Sequence, residues 1–241
     1  MENLYGKVAL ITGGSKGIGY GIARSFLSQG MHVAITGRNN ESIREALSSL
    51  NAYGNDGSYG IGLVADVRNY EEMEHAVKQV KEEFGKLDVV IANAGVGHFT
   101  PVQNMSLSQW QETIDTNLTG AFYTLKAAVK ELIASKGYYI TISSLAGTNF
   151  FASGSAYNAS KFGLTGFTQA VMLDLRDKGV KVSTIMPGSV STHFNHNEPS
   201  DKDAWKIQIE DIGQMAVDLL RMNPRTLPSK IEVRPSQPPK K

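Results

Sequence analysis

Short β-branched apolar runs alternate along the chain with stretches of helical periodicity. The first run ends in a glycine-rich turn, and the later ones end in polar or glycine-containing segments. Together these features predict an α/β fold, a Rossmann-type doubly wound parallel sheet of about seven strands with helices on both faces. At 241 residues the chain can bury a substantial core as one unit. Residues 1–234 are expected to form that domain, and 235–241 a Pro- and Lys-rich tail, mobile or in contact with a partner.

Lys7 to Thr12 reads as the first buried strand. Gly13-Gly14-Ser15-Lys16-Gly17-Ile18-Gly19 follows, and Ile22, Ala23, Phe26 and Leu27 then recur at helical spacing until Gly30. Between a strand and a helix, such glycines let a pyrophosphate approach backbone amides at a helix N-terminus, where the dipole favours negative charge. The turn is therefore a candidate dinucleotide cradle. His32 to Thr36 is the second strand, and Gly37-Arg38 stands after it. An acid there would bind a ribose 2′-hydroxyl, whereas an arginine accommodates a 2′-phosphate. Arg38, helped by Lys16, argues for NADP(H) in preference to NAD(H).

Glu41 to Asn51 supports a second helix, and Tyr53 to Gly60 a loop. Ile61 to Ala65 is a third strand ending at Asp66, and Tyr70, Met73, Val77, Val80 and Phe84 mark an amphipathic helix. Leu87 to Ala92 is a fourth strand running into Asn93-Ala94-Gly95. Ser106 is a good N-cap for one long helix with apolar positions at Trp110, Ile114, Leu118, Phe122, Leu125, Val129 and Leu132. Asn117 interrupts its middle, and a buried asparagine needs partners, in a polar network at a site or on neighbouring backbone. Tyr138 to Ser143 is the fifth strand, with Ser143-Ser144 at its carboxyl end. Val180 to Ile185 is the sixth, followed by Pro187-Gly188-Ser189-Val190-Ser191-Thr192. A helix is expected around Trp205 to Leu220, and Ile231 to Arg234 reads as a last strand.

Between the fifth and sixth strands, Ser155 to Thr165 places Tyr157 and Lys161 one turn apart on a helix rich in small residues. A tyrosine with a pKa of about 10 becomes an acid/base near neutrality only after a shift worth about 4 kcal/mol, which a nearby ammonium in a partly dry cleft can supply. Lys+Arg 24 against Asp+Glu 23 gives net charge +1 without long single-sign blocks, so no nucleic-acid footprint is present. The absence of cysteine excludes disulfides, thiolate catalysis and Cys-ligated zinc. No apolar run reaches ~20 residues and no leader pattern opens the chain, so no membrane role and a cytoplasmic location are expected. His98, His193 and His196 lack ligand spacing, and no metal is expected.

The ordered set Thr12-Gly13-x-x-x-Gly17-x-Gly19, Asp66, Asn93-Ala94-Gly95, Asn117, Ser144, Tyr157-x-x-x-Lys161 and Pro187-Gly188-x-Val190-x-Thr192 resembles the short-chain dehydrogenase/reductase family over nearly the whole chain. The resemblance implies an oxidoreductase acting on a small carbonyl or alcohol, 3-oxoacyl reductases among its relatives. Tyr157 would give or take the hydroxyl proton, and Ser144 rather than Ser143 would bond the substrate oxygen. Lys161 would lower the tyrosine pKa and hold the nicotinamide ribose, and Asn117 would support a water leading to solvent. Asp66, with Val67 beside it, would meet the adenine, and Asn93, Ala94 and Gly95 would flank the cofactor. Ser15 and Ile18 would join the glycine loop, while Pro187, Gly188, Val190 and Thr192 would hold the nicotinamide side.

The same resemblance implies that the long helices from Ser106 and Ser155 would form a homodimer or homotetramer interface, which their abundant apolar residues permit. A carrier-bound 3-oxoacyl substrate would need basic surface near the pocket, for which Lys136, Arg176 and Lys178 are candidates. After Thr192 the chain departs from the family pattern with a short polar segment, His193 to Lys202, so an open pocket is expected. His98, Asn149, Phe150, Phe151, His193 and Phe194 are its candidate lining. A catalytically weak NADP(H)-binding regulatory or scaffolding protein is the alternative, and an intact Ser144, Tyr157 and Lys161 set weighs against it.

Overall fold

The computed structural model describes residues 3–237, without the side chain of His196; positions 238–241 of the expected tail lie outside the described residues. One sheet contains β1 (Val8–Thr12), β2 (His32–Gly37), β3 (Gly60–Val64), β4 (Val89–Ala92), β5 (Tyr138–Ile142), β6 (Lys181–Pro187) and β7 (Lys230–Val233). The order is β3-β2-β1-β4-β5-β6-β7, with every neighbouring pair parallel. Parallel neighbours require crossovers, which here run through α1 (Gly17–Leu27), α2 (Asn40–Leu50), α3 (Tyr70–Phe84), α5 (Gly120–Ser135), α6 (Ser155–Leu175) and α7 (Ile209–Arg221). The chain steps outward from β1 to β3 and then returns to place β4 beside β1. Strand order reverses there, so the loops after β1 and β4 diverge and leave a crevice at the carboxyl edge of the sheet.

β1 shows why its sequence is continuously apolar. Ala9 and Ile11 join a core containing Ile22 and Phe26 of α1, Ile43 and Leu50 of α2, and Val217 and Leu220 of α7. Val8 and Leu10 join the opposite core, with Met73 and Val80 of α3, Leu125 and Leu132 of α5, and Leu164 and Val171 of α6. Both faces are covered, so alternation disappears.

Two predicted helices differ in detail. The long helix from Ser106 keeps its cap, a reciprocal box with Gln109, but divides into α4 (Leu107–Ile114), a π turn at Asp115–Thr119, and α5. The wider turn carries Asn117, which is 1% exposed and reaches inward to Val96 and Ser160. The last helix begins at Ile209 rather than near Trp205. Ile207 is drawn into a parallel bridge with Val190, Ser191 N–H donates to Ile207 O at 2.9 Å, and Gln208 and Asp211 then form a capping box.

Lys136 and Lys178 precede β5 and β6, with Arg176 beside them, so all three lie at the amino ends of the strands, opposite the crevice. The expectation that they receive a carrier at the pocket is overturned by this placement. Among the described residues, no helix is long and apolar enough to cross a membrane.

Candidate active site

The loops after β1 to β6 enclose a cleft of about 1420 Å³ along the carboxyl edge. It exceeds the roughly 300–1,000 Å³ of ordinary small-ligand pockets, so an extended ligand and a second molecule can share it.

The glycine turn forms the floor. Gly13 and Gly17 have φ of +63° and +59°, a conformation that side chains disfavour. A Cβ on Gly19, which does not itself line the cleft, would stand 2.5 Å from Asn93 Nδ2 and 2.6 Å from Gly13 O. Asn93 is what holds this turn. Its side-chain amide donates to Thr12 O at 2.9 Å and Gly13 O at 3.1 Å, while its backbone N–H and that of Ala94 donate to Thr12 Oγ1 at 3.0 and 3.1 Å. Asn93 therefore lines the cleft but spends its side chain on the loop rather than on a ligand.

At one end of the cleft stand Lys16 and Arg38. The Arg38 side chain is 57% exposed and lies 3.8 Å from Glu112 Oε1, a loose pairing that leaves its donors accessible. Asp66 is gripped by Arg68, whose Nε donates to both carboxylate oxygens at 3.0 Å and whose hydrogen bonds hold the carboxyl below its ordinary value against the opposing effect of burial. Two buried hydroxyls without partners among the described residues, Thr36 Oγ1 and Thr116 Oγ1, belong to cleft-lining residues.

At the other end, β5 delivers Ser143 and Ser144, and the first turns of α6 deliver Tyr157 and Lys161. Ser143 is 3% exposed and its hydroxyl is engaged by Lys161 O at 3.2 Å and Thr165 Oγ1 at 3.0 Å. Ser144, one residue on, faces the cleft and hydrogen-bonds Tyr157. Its oxygen also accepts from Ala146 N–H at 3.1 Å, which fixes its position.

Lys161 is 4% exposed, donates to Ile142 O at 2.9 Å and has its Nζ 5.7 Å from the Tyr157 ring centre. Burial lowers its pKa to about 8. Tyr157 moves the other way from the expected depression: burial raises its pKa, and the Ser144 hydrogen bond opposes this only in part. Each group pays separately for leaving water, because desolvation penalises whichever form is charged.

Asn117 lies behind these residues and does not line the cleft. Its Oδ1 accepts Val96 N–H at 2.8 Å, while its Nδ2 donates to Val96 O at 2.9 Å and Ser160 Oγ at 3.0 Å. Ser160 in turn donates to Tyr157 O at 2.8 Å. The asparagine thus ties the loop after β4 to α6, resolving its need for partners as backbone satisfaction beside the site. Replacing it with alanine strands both Val96 groups, so Asn117→Ala is expected to lose about 2–3 kcal/mol of stability. A urea midpoint unchanged from wild type would show that the tie contributes nothing.

Of the residues expected around a substrate, Asn149, Phe150, Phe151, His193 and Phe194 line the cleft. His98 does not: its Nε2 pairs with Glu112 Oε2 at 2.9 Å instead. Two further features complete the lining. Phe99 reaches the cleft and stands 5.4 Å, ring centre to ring centre, from Tyr157. Arg234, Pro235 and Gln237 also line it, so the first part of the expected tail is a wall of the site. Phe99 follows Gly95 closely on a site loop, a signal that was available; the return of the C-terminus was not encoded in any local pattern.

A family model described as short chain dehydrogenase matches residues 7–203. The chain is 34% identical over 216 residues to a 3-oxoacyl-acyl-carrier-protein reductase of Synechocystis sp., covering 89% of this chain and 86% of that protein. It is 31% identical over 248 residues to a glycine betaine reductase of Emericella nidulans, covering 98% of this chain but spanning only 19% of that longer protein. Among solved structures, an alcohol dehydrogenase of the archaeon Thermococcus sibiricus complexed with 5-hydroxy-NADP superposes with a TM-score of 0.89 at 28% identity, covering 98% of this chain and 99% of that one. Sheet order, glycine turn and family match agree over most of the chain's length, and the chain belongs to the short-chain dehydrogenase family of oxidoreductases.

Proposed function

We propose that the protein is an NADP(H)-dependent reductase of ketones or aldehydes, with Tyr157 as the proton donor. The observation that carries this reading is the division of one cleft into a cationic end, Lys16 and Arg38, and a proton-transfer end, Ser144, Tyr157 and Lys161. The resemblance to a solved NADP-analogue complex is consistent with it. When bound, the reduced nicotinamide supplies a hydride to the carbonyl carbon. Gly13, Ser15, Gly17 and Ile18 would cradle the pyrophosphate, with Gly19 allowing the close backbone packing beneath it. Asp66, Val67, Ala94 and Gly95 would border the adenosine half, and Pro187, Gly188, Val190 and Thr192 the nicotinamide half.

Ser144 would then hold the carbonyl oxygen, and Tyr157 would give it the proton that completes the alcohol. Burial keeps Tyr157 as the phenol at neutral pH, which is the donating form and favours reduction over oxidation. Lys161 is protonated in most molecules at pH 7 and sits where it can stabilise the phenolate left behind. The exposed Trp110, Phe122, Phe162 and Leu173 on α4, α5 and α6 support a homodimer or homotetramer as part of the same reading.

Fluorescence titration with NADPH and with NADH tests the cofactor reading. NADPH is expected to bind tighter by about tenfold or more, ~1.4 kcal/mol. Arg38→Asp is expected to weaken NADPH by a similar factor while changing NADH much less. Equal losses for both would mean that Arg38 does not read a 2′-phosphate, and binding of neither by wild type would remove the dinucleotide site.

A further inference from the structure

The geometry points to a neutral ketone bearing an aryl or comparably bulky apolar group as the substrate; this rests on the carbonyl-reductase reading of the same site. Four aromatic rings meet beside the proton donor. Phe99 lies 5.4 Å from Tyr157 and 5.8 Å from Phe151, Phe194 lies 5.8 Å from Tyr157, and Phe99 and Phe194 are 6.4 Å apart. The Phe99–Tyr157 and Phe99–Phe194 pairs are edge-on, at interplanar angles of 72° and 66°, an arrangement that accepts a further ring against a free face or edge. The three phenylalanines come from three separate loops, after β4, before α6 and after β6, and meet Tyr157 of α6, so the rings converge on the cleft rather than packing along one element.

The convergence is built into the backbone. A Cβ on Gly97 would lie 2.8 Å from the Phe194 ring and 3.0 Å from that of Phe99, so glycine there lets the two rings approach the loop and each other. The rings remain accessible: Phe99 is 38% exposed and Phe151 is 48% exposed. Large accessible aromatics over a polar pair of reacting groups describe an apolar binding slot, not a core.

Charge argues in the same direction. An anionic substrate, such as a keto acid, needs a cation beside the carbonyl site. Lys161 donates to Ile142 O, Lys206 pairs with Asp203 at 2.6 Å, and Arg234 pairs with Glu232 at 3.2 Å. Lys16 and Arg38 belong to the far end of the cleft. A carrier-bound substrate needs basic surface at the mouth, and the Lys136, Arg176 and Lys178 group lies across the sheet from it. The reaction stays balanced without any further reagent: the carbonyl carbon gains a hydride from the reduced dinucleotide, the oxygen gains the Tyr157 proton, and the dinucleotide is oxidised.

The test compares kcat/KM for propiophenone, 2-butanone and acetoacetate at saturating NADPH. Propiophenone is expected to exceed each of the others by about tenfold or more. Phe99→Ala, and independently Phe194→Ala, should lower kcat/KM for propiophenone by a larger factor than for 2-butanone and so remove most of that preference. Two variants are used because each tests the slot from a different loop. Acetoacetate equal to or better than propiophenone would overturn the aryl-ketone inference while leaving the reductase reading standing. So would an equal loss for all three ketones in both variants. NADPH binding with no turnover of any of the three would instead overturn both.

Discussion

Tyr157→Phe is expected to lower kcat for carbonyl reduction by ~10² to 10⁴ while leaving the NADPH dissociation constant and the urea midpoint nearly unchanged. The substitution removes one oxygen whose partner in the structure is the Ser144 hydroxyl, and leaves the ring in its edge-on contact with Phe99. Binding and folding therefore keep their supports, and only the proton is lost. Ser144→Ala should cost less than Tyr157→Phe, because it removes a hydrogen bond to the substrate oxygen but leaves the donor in place. The pH profile carries the sign of the mechanism. A phenol whose pKa is raised stays protonated through neutral pH, so reduction should first decline as pH rises past about 8, where Lys161 loses its charge, and then fail as pH rises through the raised tyrosine value. Oxidation of the alcohol, which needs the phenolate, should instead improve with pH. A variant retaining more than about a tenth of wild-type kcat would remove the tyrosine from the proton transfer.

The parts of the site legible in the sequence are those whose chemistry is local. The glycine turn declares itself because Gly13 and Gly17 need positive φ directly after a buried strand, and Tyr157 and Lys161 because four residues are one helical turn. The sheet was legible for the same reason: β1 and β5 are buried along their whole lengths and read as short runs of β-branched and aromatic residues without polar alternation. What sequence did not disclose depends on contacts distant along the chain. The π turn at Asp115–Thr119 exists because Asn117 finds Val96 and Ser160, and helical periodicity cannot distinguish it from the α-helix it interrupts. Asn93 lines the cleft where a cofactor-flanking residue is expected, but no local pattern discloses that its side chain is committed to carbonyl oxygens of the glycine turn. Charge pattern alone does not say which end of a strand faces the cleft, so it cannot place the basic residues before β5 and β6.

Lys161→Met is expected to make the folded protein more stable at pH 7 and less active, and the two effects share one cause. Burial lowers the lysine pKa from 10.5 to about 8. The unfolded chain keeps this proton up to about pH 10.5, whereas the folded chain releases it near 8, so between those values unfolding takes up a proton and stability rises with pH. Below about pH 8 both states are charged, and the folded state bears the whole penalty, roughly 3 kcal/mol. Methionine removes that penalty but forfeits the 2.9 Å bond to Ile142 O. A hydrogen bond from a charged donor contributes about 1.5–3 kcal/mol, so the net gain at pH 7 is at most about 1–2 kcal/mol. As pH rises towards 10 the wild-type lysine becomes neutral, the penalty fades and the hydrogen bond remains, so the advantage of the variant should shrink and then reverse. Urea unfolding of both proteins at pH 7 and pH 9.5 measures this directly, and a difference that does not change with pH would show that Lys161 is not strained by burial. A variant both more stable at pH 7 and less active would mean that Lys161 is held for its charge beside Tyr157 rather than for the fold.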